Sequence, residues 1–364
     1  MIDRELPTPA VVVDLDVMER NLARMAGYCR ENGLNLRPHT KTHKTPEVAR
    51  LQLASGAAGL TVAKVGEAEV MVTVGLDDIL VAYPVFGTEN LQRLARLAES
   101  HRLLISLDSL VTAQELSLAV SARGASIGVL VEFDAGLHRC GIAPSPELVH
   151  VGQTIQRLPG LKLRGLMTYT GNIWGEESAR LAEAADVAVR VAKARRLFEM
   201  AGLPLEIVSG GSTPSAFLSH LIPGLTEIRP GTYVYNDLNT YYQGACQLAD
   251  CAVRVFTTVV STAVPGRAMV DAGSKTLSSD TLNAGPKCGH GMIMEAPDAP
   301  LFKLNEEHGH VDTTRSAHPF CVGEVVSVIP NHVCTCVNMH DEVFFCRDHQ
   351  VLGSWRVAAR GKVR

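Results

Sequence analysis

The segment Asn35-Leu36-Arg37-Pro38-His39-Thr40-Lys41-Thr42-His43-Lys44 joins a short β-type run to a loop rich in lysine and histidine. It opens a series of eight β-type runs that alternate with segments of helical character, up to about residue 235. Such alternation is typical of repeated βα units, and eight strands are what a closed (β/α)8 TIM barrel needs. An open doubly wound sheet is the alternative, because periodicity alone cannot show closure. The predicted strands are Asn35 to His39, Leu60 to Ala63, Asp78 to Tyr83, Leu103 to Leu107, Ser126 to Phe133, Leu163 to Thr168, Leu205 to Ser209 and Glu227 to Arg229.

Amphipathic stretches accompany these runs and predict the outer helices of the barrel. In Val17 to Asn32, apolar residues recur near helical spacing, and Glu176 to Ala201 is rich in Glu, Ala and Arg. The fold class predicted for this part of the chain is therefore α/β.

After about Tyr242 the pattern changes to short runs rich in valine and threonine, without a long helical segment. These runs predict a second, mainly antiparallel β domain, joined by the β-like Pro9 to Val13. The predicted division is 14–242 for the barrel, and 1–13 with 243–364 for the β domain. The β runs are Ala252 to Thr262, Arg267 to Val270, Gly323 to Ile329 and Glu342 to Phe345.

Charge and hydropathy exclude several classes of function. A net charge of -4 and the absence of a Lys/Arg run with interleaved aromatic residues argue against a nucleic-acid partner. No apolar run approaches the roughly 18 residues of a membrane span, and the first residues lack the features of a signal peptide. Nine cysteines without a regular framework predict reduced thiols. We expect a cytoplasmic enzyme.

Lys41 follows the first predicted strand, at the end where barrel enzymes place their reacting groups. A lysine that forms a Schiff base needs a lowered pKa, which positive charge from Arg37, Lys44 or a protonated histidine would favour. A solvated basic turn is the alternative, and Lys44 is a competing candidate for the reactive lysine.

Two turns follow the last two predicted strands, where barrels often bind phosphate. Ser209-Gly210-Gly211-Ser212-Thr213-Pro214 offers glycines and hydroxyls before a helical stretch, and Arg229-Pro230-Gly231-Thr232-Tyr233 is the second turn. The first turn lacks the Lys-Ser/Thr pair of a Walker loop. Alone it would be read as structural, but the two together predict a phosphate site.

The pair His332 and Cys334 follows the β run that ends at Ile329. His-x-Cys offers an imidazole and a thiolate on the same side of an extended chain. Two ligands need water, substrate or another group to complete a metal site, and zinc suits the sulfur ligand while manganese prefers oxygen. A packed cysteine beside a surface histidine is the alternative.

In their order along the chain, these segments resemble the D-threonine aldolase and D-serine dehydratase family of alanine racemase-like, fold-type III pyridoxal phosphate enzymes. The likeness covers nearly the whole chain. Its marks are Thr8 to Ala10, Asp14 to Asp16, Arg37 to Thr42, Glu132, Gly136 to Gly141, Ser209 to Pro214, Arg229 to Tyr233, Asp271 to Ser274, Glu306 to Gly309 and Pro330 to Cys334.

The resemblance implies that Lys41 forms the Schiff base with pyridoxal 5'-phosphate and that Arg139 contacts the phenolic oxygen of the cofactor. Arg229 matches the arginine that faces the pyridine nitrogen in the racemases and keeps that nitrogen unprotonated. The phosphate would lie among residues of the two turns. The predicted cofactor-binding set is Lys41, Arg139, Ser209, Gly211, Ser212, Thr213, Arg229, Gly231, Thr232 and Tyr233.

The resemblance also implies a divalent metal, Mn or Zn, on His332 and Cys334, where it binds the β-hydroxyl of a small D-amino acid substrate. Tyr169 stands where several family members carry a histidine proposed as general base. Tyr169 and His39 are the predicted catalytic partners of Lys41. The assignment of the base stays open, with His43, His308 and a metal-bound hydroxide as further candidates.

The resemblance favours D-threonine aldolase activity, which cleaves the substrate to glycine and an aldehyde. D-serine or D-3-hydroxyaspartate dehydratase activity is the alternative: the His-x-Cys pair and Asp78 to Pro84 are more like the dehydratases, whereas the chain length and Asp271 to Lys275 are more like the aldolases. An amino-acid racemase and a non-catalytic cofactor-binding protein are more distant alternatives. The resemblance implies a homodimer.

Overall fold

The computed structural model describes residues 6–75, 77–285 and 289–364. In these residues the strands are β1 (Ala10–Asp14), β2 (Asn35–Leu36), β3 (Leu60–Val62), β4 (Ile79–Val81), β5 (Leu103–Leu107), β6 (Ile127–Glu132), β7 (Leu161–Met167), β8 (Ile207–Gly210), β9 (Glu227–Ile228), β10 (Val253–Ser261), β11 (Arg267–Val270), β12 (Gly291–Ile293), β13 (Leu301–Leu304), β14 (Gly309–Asp312), β15 (Val325–Pro330), β16 (Glu342–Arg347) and β17 (Gln350–Arg356).

The helices in the same residues are α1 (Leu15–Glu31), α2 (Pro46–Ala54), α3 (Val65–Met71), α4 (Thr88–Leu97), α5 (Leu110–Ser121), α6 (Pro146–Arg157), α7 (Glu177–Met200), α8 (Leu238–Tyr242), α9 (Ser274–Leu277) and α10 (Val333–Asn338). Short 3-10 turns cover Val72–Val74, Ala216–Leu221, Thr232–Val234 and Leu248–Asp250. Among the described residues, no helix combines the length and the apolar composition that crossing a bilayer would require.

The chain divides into two compact units. The barrel unit comprises Met25–Lys41, Pro46–Gly231 and Gly361–Arg364. The β unit comprises the described residues up to Arg24, Thr42–Thr45 and the described residues of Thr232–Arg360. The domain limits expected from the sequence stay a prediction.

The barrel unit is built on a parallel sheet of eight strands in the order β2-β9-β8-β7-β6-β5-β4-β3. A parallel bridge between His39 and Thr61 links the chain after β2 to β3, which closes the ring. The Thr40 amide also donates to the carbonyl of Thr61 at 2.8 Å. All eight strands predicted from the sequence are present, and the closed barrel, rather than an open sheet, is confirmed.

One half of the barrel interior is apolar. Leu80, Leu104, Leu130 and Met167, one from each of β4 to β7, are fully or almost fully buried and pack together. Side chains two apart on a strand share a face, so Glu132 points the same way as Leu130. This cluster forms an apolar floor below the carboxyl ends of these strands.

The β unit contains a mainly antiparallel sheet in the order β13-β14-β11-β10-β1-β16-β17, with β15 paired to β10 and β12. The N-terminal strand β1 pairs antiparallel with β10 and parallel with β16. The segment that follows Pro9 thus contributes a strand to this sheet. Alternation along β10 buries Val253, Val255 and Val259 against the core.

The two helices singled out in the sequence are present within one or two residues of their predicted ends. Asp14 begins α1 by accepting a hydrogen bond from the Val17 amide at 3.0 Å. In α1 the residues Met18, Leu22 and Met25 are buried at helical spacing. Helical periodicity in the sequence thus identified these elements correctly.

Candidate active site

The carboxyl ends of the barrel strands surround a cavity of about 280 Å³. Because parallel strands all end on the same face, side chains that are distant in sequence meet there. Five of the predicted site residues line it: His39, Lys41, Arg139, Tyr169 and Arg229. The lining residues are His39, Lys41, Ala63, Ala82, Tyr83, Pro84, Glu132, Arg139, Cys140, Met167, Tyr169 and Arg229.

Lys41 enters this cavity from the loop after β2. Its amide lies 3.4 Å from Nδ1 of His39, and its Nζ lies 5.9 Å from the centroid of the Tyr169 ring. Within the part of the chain that the structure describes, Nζ has neither an ion-pair nor a hydrogen-bond partner. The amine is thus available to a bound molecule.

The neighbouring basic residues are arranged differently from the sequence-based expectation. Arg37 is buried and pairs with two carboxylates, those of Glu227 and Asp78, so it brings no unbalanced positive charge to Lys41. Lys44, the competing candidate, is buried in the β unit and donates from Nζ to the carbonyl of Ala359 at 3.4 Å. The charges that line the cavity with Lys41 are instead Arg139, Arg229 and Glu132.

Arg139 lies on a loop that one carboxylate organises. Asp134 Oδ1 accepts hydrogen bonds from the amides of Gly136 at 2.9 Å and His138 at 3.0 Å, and Oδ2 pairs with the His138 imidazole at 2.6 Å. His138 adopts a φ of 58°, which this network stabilises. The loop places Cζ of Arg139 4.5 Å from the centroid of the Tyr169 ring, a cation–π distance.

Arg229 follows β9 and is 4% exposed. Its Nη1 donates to the Ser209 hydroxyl at 2.5 Å and its Nη2 to the Thr168 carbonyl at 2.7 Å. Burial lowers the pKa of Arg229 to about 10, although the negative charges of Glu227 and Glu132 act in the opposite direction. The guanidinium is therefore still charged near neutral pH.

Glu132 is the acidic residue of this lining. Burial raises the pKa of its carboxyl above the ordinary value, although the nearby charges of Arg229 and Arg139 act to lower it. The raised pKa means that this carboxyl binds a proton more readily than an ordinary glutamate does. The sequence marked this residue only as part of the family resemblance.

The first predicted phosphate turn follows β8. Gly211 has a φ of 80°, and an added Cβ would lie 2.9 Å from Cβ of Ile228, so glycine is required there. The Ser212 amide donates to the Ser215 hydroxyl at 3.0 Å, and the Ser212 hydroxyl donates to the Thr170 carbonyl at 3.1 Å. Thr213 is buried in the same turn. Ser212 thus ties the turn to Ser215 and to the segment after β7.

The second predicted turn lies where the two units meet in the sequence. Gly231 is the last residue of the second barrel-unit segment, and Thr232 begins the 3-10 turn that includes Tyr233 in the β unit. The structure brings Gly211, Ser212 and Thr213 together in one turn, while Thr232 and Tyr233 belong to the other unit.

His332 and Cys334 belong to the β unit. His332 precedes α10, and Cys334 lies within that helix, so the prediction of an extended His-x-Cys segment is wrong. The buried carboxylate of Asp237 accepts a hydrogen bond from the Val333 amide at 3.0 Å, which stabilises the helix start.

The two side chains are nevertheless electrostatic partners. Burial acts to lower the pKa of His332, but the hydrogen bond and charge of Cys334, together with the carboxylates of Asp237 and Asp280, outweigh it and raise that pKa to about 10. Burial acts to raise the pKa of Cys334, but His332 brings it below the ordinary value. The pair thus favours a thiolate, the form in which cysteine binds metals.

Asp280 is a functional candidate that the sequence did not reveal. Its Oδ2 is 2.6 Å from Nδ1 of His332 and accepts a hydrogen bond from the Thr335 hydroxyl at 2.8 Å. A carboxylate on the second ring nitrogen is the usual partner of a metal-binding histidine, since it orients the ring. Asp280 lies 52 residues before His332, and no local pattern marks it.

Comparisons with known proteins agree with this architecture. Residues 13–239 match the family model for the alanine racemase N-terminal domain, and residues 252–346 match that for a putative serine dehydratase domain. A D-threonine aldolase from Arthrobacter sp is 32% identical over 97% of this chain and 93% of its own length. A D-threo-3-hydroxyaspartate dehydratase from Delftia sp. is 34% identical over 90% of this chain and 91% of its own length.

Among solved structures, a D-threonine aldolase from Filomicrobium marinum is similar, with a TM-score of 0.92 and 33% identity. The match covers 99% of this chain and 98% of that one. The chain belongs to the D-threonine aldolase and D-serine dehydratase family of alanine racemase-like, fold-type III pyridoxal phosphate enzymes.

Proposed function

We propose that this protein is a metal-assisted, pyridoxal phosphate-dependent lyase that acts on D-3-hydroxy amino acids and, specifically, cleaves D-threonine as an aldolase. The observation that carries the proposal is the set Lys41, Arg139 and Arg229 around one cavity at the carboxyl ends of the barrel strands. The His332 and Cys334 pair, with Asp280 on the imidazole, supports the metal. The similar proteins from Arthrobacter and Delftia are a D-threonine aldolase and a D-threo-3-hydroxyaspartate dehydratase.

The cavity suits pyridoxal phosphate chemically. Three cationic side chains line it against one carboxylate, Glu132, whose pKa is raised by burial, so an anionic ligand is favoured there. The backbone at Gly211 packs closely against β9, where the Cβ of any other residue would collide with Ile228. A glycine turn at the end of a barrel strand is a common support for a phosphate group.

In the β unit, His332 and Cys334 offer a divalent cation one nitrogen ligand and one sulfur ligand. Among the described residues, no group of three or more His, Cys, Asp or Glu side chains is arranged to hold a metal ion. The pair His332 and Cys334 would therefore supply two ligands, and water or substrate the others. A thiolate favours zinc over manganese.

Each side chain has a definite task in this proposal. Bound pyridoxal phosphate would supply a sink for the electron pair of the bond that is cleaved, and a bound metal would supply a Lewis acid for the substrate hydroxyl. Lys41 holds the cofactor through Nζ, while Arg139 and Arg229 orient its ring. The proton of the β-hydroxyl passes to a base in the cavity, for which Tyr169 Oη and the His39 imidazole are candidates.

Dehydratase activity on D-serine or D-3-hydroxyaspartate is the second candidate, and the similarity to the Delftia dehydratase favours it. In that reaction Lys41 would remove the α-proton, and the metal would assist departure of the hydroxyl group. A racemase needs a second base opposite Lys41.

We propose that the protein is a homodimer and that it acts in the cytoplasm.

Product analysis separates the candidates. Purified protein supplied with pyridoxal phosphate and Mn²⁺ or Zn²⁺ is incubated separately with D-threonine, D-serine and D-3-hydroxyaspartate. Glycine with acetaldehyde from D-threonine supports the aldolase. A keto acid with ammonia from either of the other substrates supports the dehydratase. Turnover of D-alanine to its L-enantiomer, insensitive to a chelator, would instead support a racemase, and no turnover at all would contradict the lyase proposal.

Replacing Tyr169 by Phe tests the assignment of the base. The Phe ring retains the surface that Arg139 stacks on, so cofactor binding should persist. If the hydroxyl takes the substrate proton, kcat should fall by about 10²-fold or more, the usual contribution of a general base. The matched control is Tyr28→Phe, which removes a hydroxyl that bonds His220 on the surface. An unchanged kcat in Tyr169→Phe would assign the proton to another group, and His39→Gln is then the variant to measure.

A further inference from the structure

The other half of the barrel interior contains a continuous polar column. His39 and Arg229 line the cavity just beyond β2 and β9, where the pairing continues from the Arg37 amide to the Ile228 carbonyl, so residues two positions earlier share their face. Those residues are Arg37 and Glu227, which are 4% and 2% exposed. Charged groups this deeply buried are stable only when they are paired and hydrogen-bonded.

The lower part of the column is a complete ion-pair network. Nε of Arg37 donates to both carboxylate oxygens of Glu227, at 3.0 and 2.9 Å. Nη1 of Arg37 pairs with Asp78 at 2.5 Å, and Asp78 pairs in turn with Arg102 near the surface. Gly59 leaves room for Arg37, since an added Cβ would lie 2.1 Å from Nη1. Glu227 is thereby held in one orientation.

Ser209 connects this network to the cavity. Its hydroxyl donates to Glu227 Oε1 at 2.5 Å and accepts from Nη1 of Arg229 at 2.5 Å. A hydroxyl has one proton, so Ser209 cannot donate to a phosphate while it donates to Glu227. The residue was expected from the sequence to contribute to cofactor binding directly, and its contacts give it a different task.

We propose that Ser209 and Glu227 are positioning residues that fix the guanidinium of Arg229 in the cavity, and that Ser209 is not a phosphate ligand. The inference rests on the proposed function, because it concerns how Arg229 meets the cofactor. Arg229 has four rotatable side-chain torsions, and its Nη1 and Nη2 are anchored to Ser209 and to the Thr168 carbonyl. The anchors leave its other donors for the cavity.

A double-mutant cycle on cofactor binding tests this inference. The four proteins are wild type, Ser209→Ala, Arg229→Met and the double variant, and the readouts are the dissociation constant of pyridoxal phosphate and the absorbance of the bound cofactor as a function of pH. Ser209→Ala alone should weaken binding about tenfold to a hundredfold, the effect of losing a hydrogen bond to a charged group. It should also shift the pH dependence of the absorbance. In the Arg229→Met background the same change should have almost no effect, because Ser209 acts through Arg229.

Controls separate positioning from loss of structure. Ser219→Ala removes another buried serine hydroxyl, which bonds the Ser215 carbonyl, and should leave both readouts unchanged. Thermal unfolding of each cofactor-free variant checks that the barrel is folded. An equal loss of affinity in both backgrounds, or no loss in either, would overturn the inference alone. A wild-type protein that binds no pyridoxal phosphate would overturn the proposed function and this inference with it.

Discussion

Replacing Lys41 by Ala should remove the covalently bound cofactor and reduce lyase turnover by at least about 10³-fold. An amine held next to the reacting carbon has an effective concentration of about 10⁵ M or more, which free amines in solution cannot match. Lys41 is the lysine among the residues that line the cavity, and its Nζ is not committed to another described residue. The measurement is the absorbance of the purified protein near the edge of the visible range, together with turnover of D-threonine.

Two other lysines are controls for this prediction. Lys44→Met removes the competing candidate, whose Nζ bonds the Ala359 carbonyl, and Lys64→Met removes an amine that lies 3.4 Å from the centroid of the Tyr83 ring. Both variants should retain the absorbance band. If Lys41→Ala retained the band and Lys44→Met lost it, the assignment of the cofactor lysine would be wrong.

Loss of the metal ligands should have the second largest effect. His332→Ala and Cys334→Ala should each abolish stoichiometric metal binding, because either variant leaves one of the two proposed protein ligands. Turnover of D-threonine should fall with the metal content, and a chelator should do the same to the wild type. The measurements are metal content after dialysis against Mn²⁺ or Zn²⁺, and calorimetric titration of the metal-free protein.

A variant of Asp280 should show a partial rather than a complete loss of metal affinity. Asp280→Asn keeps the size of the side chain but removes the charge that orients His332, so metal affinity should fall about 10-fold to 100-fold. Asp341→Asn, which removes the exposed partner of Arg360, is the control and should bind metal like the wild type. Equal metal affinity in all these variants would show that the His332 and Cys334 pair is not a metal site.

Much of the fold followed from local patterns in the sequence. A buried parallel strand reads as a short apolar run and an outer helix as a longer amphipathic segment, so the eight βα units could be counted directly. The position of Lys41, immediately after the first of these strands, was predicted for the same reason. The strand count and the placement of the motifs also favoured a closed barrel, but periodicity alone could not show closure, because closure depends on the bridge between His39 and Thr61, which joins two strands through space.

The site was less predictable, because its contacts join residues that are far apart in sequence. The orientation of the Arg37 side chain depends on its ion pairs with Glu227, 190 residues away, and with Asp78. From the sequence alone Arg37 was a positive charge beside Lys41, whereas the fold neutralises it in the barrel interior. In the same fold, the Ser209 hydroxyl donates its proton to Glu227 and not to a phosphate.

By itself, the sequence determined the number and order of the βα units, the β domain that follows them, the family, and the lysine at the end of the first strand. These features depend on residue periodicity and on short motifs, both of which are local. The tertiary structure decided the helical setting of Cys334, the pairing of His332 with Asp280 and the anchoring of Arg229. These features depend on which buried charges and hydroxyls become neighbours once the chain is folded, and a buried polar group must find its partner wherever the packing places one.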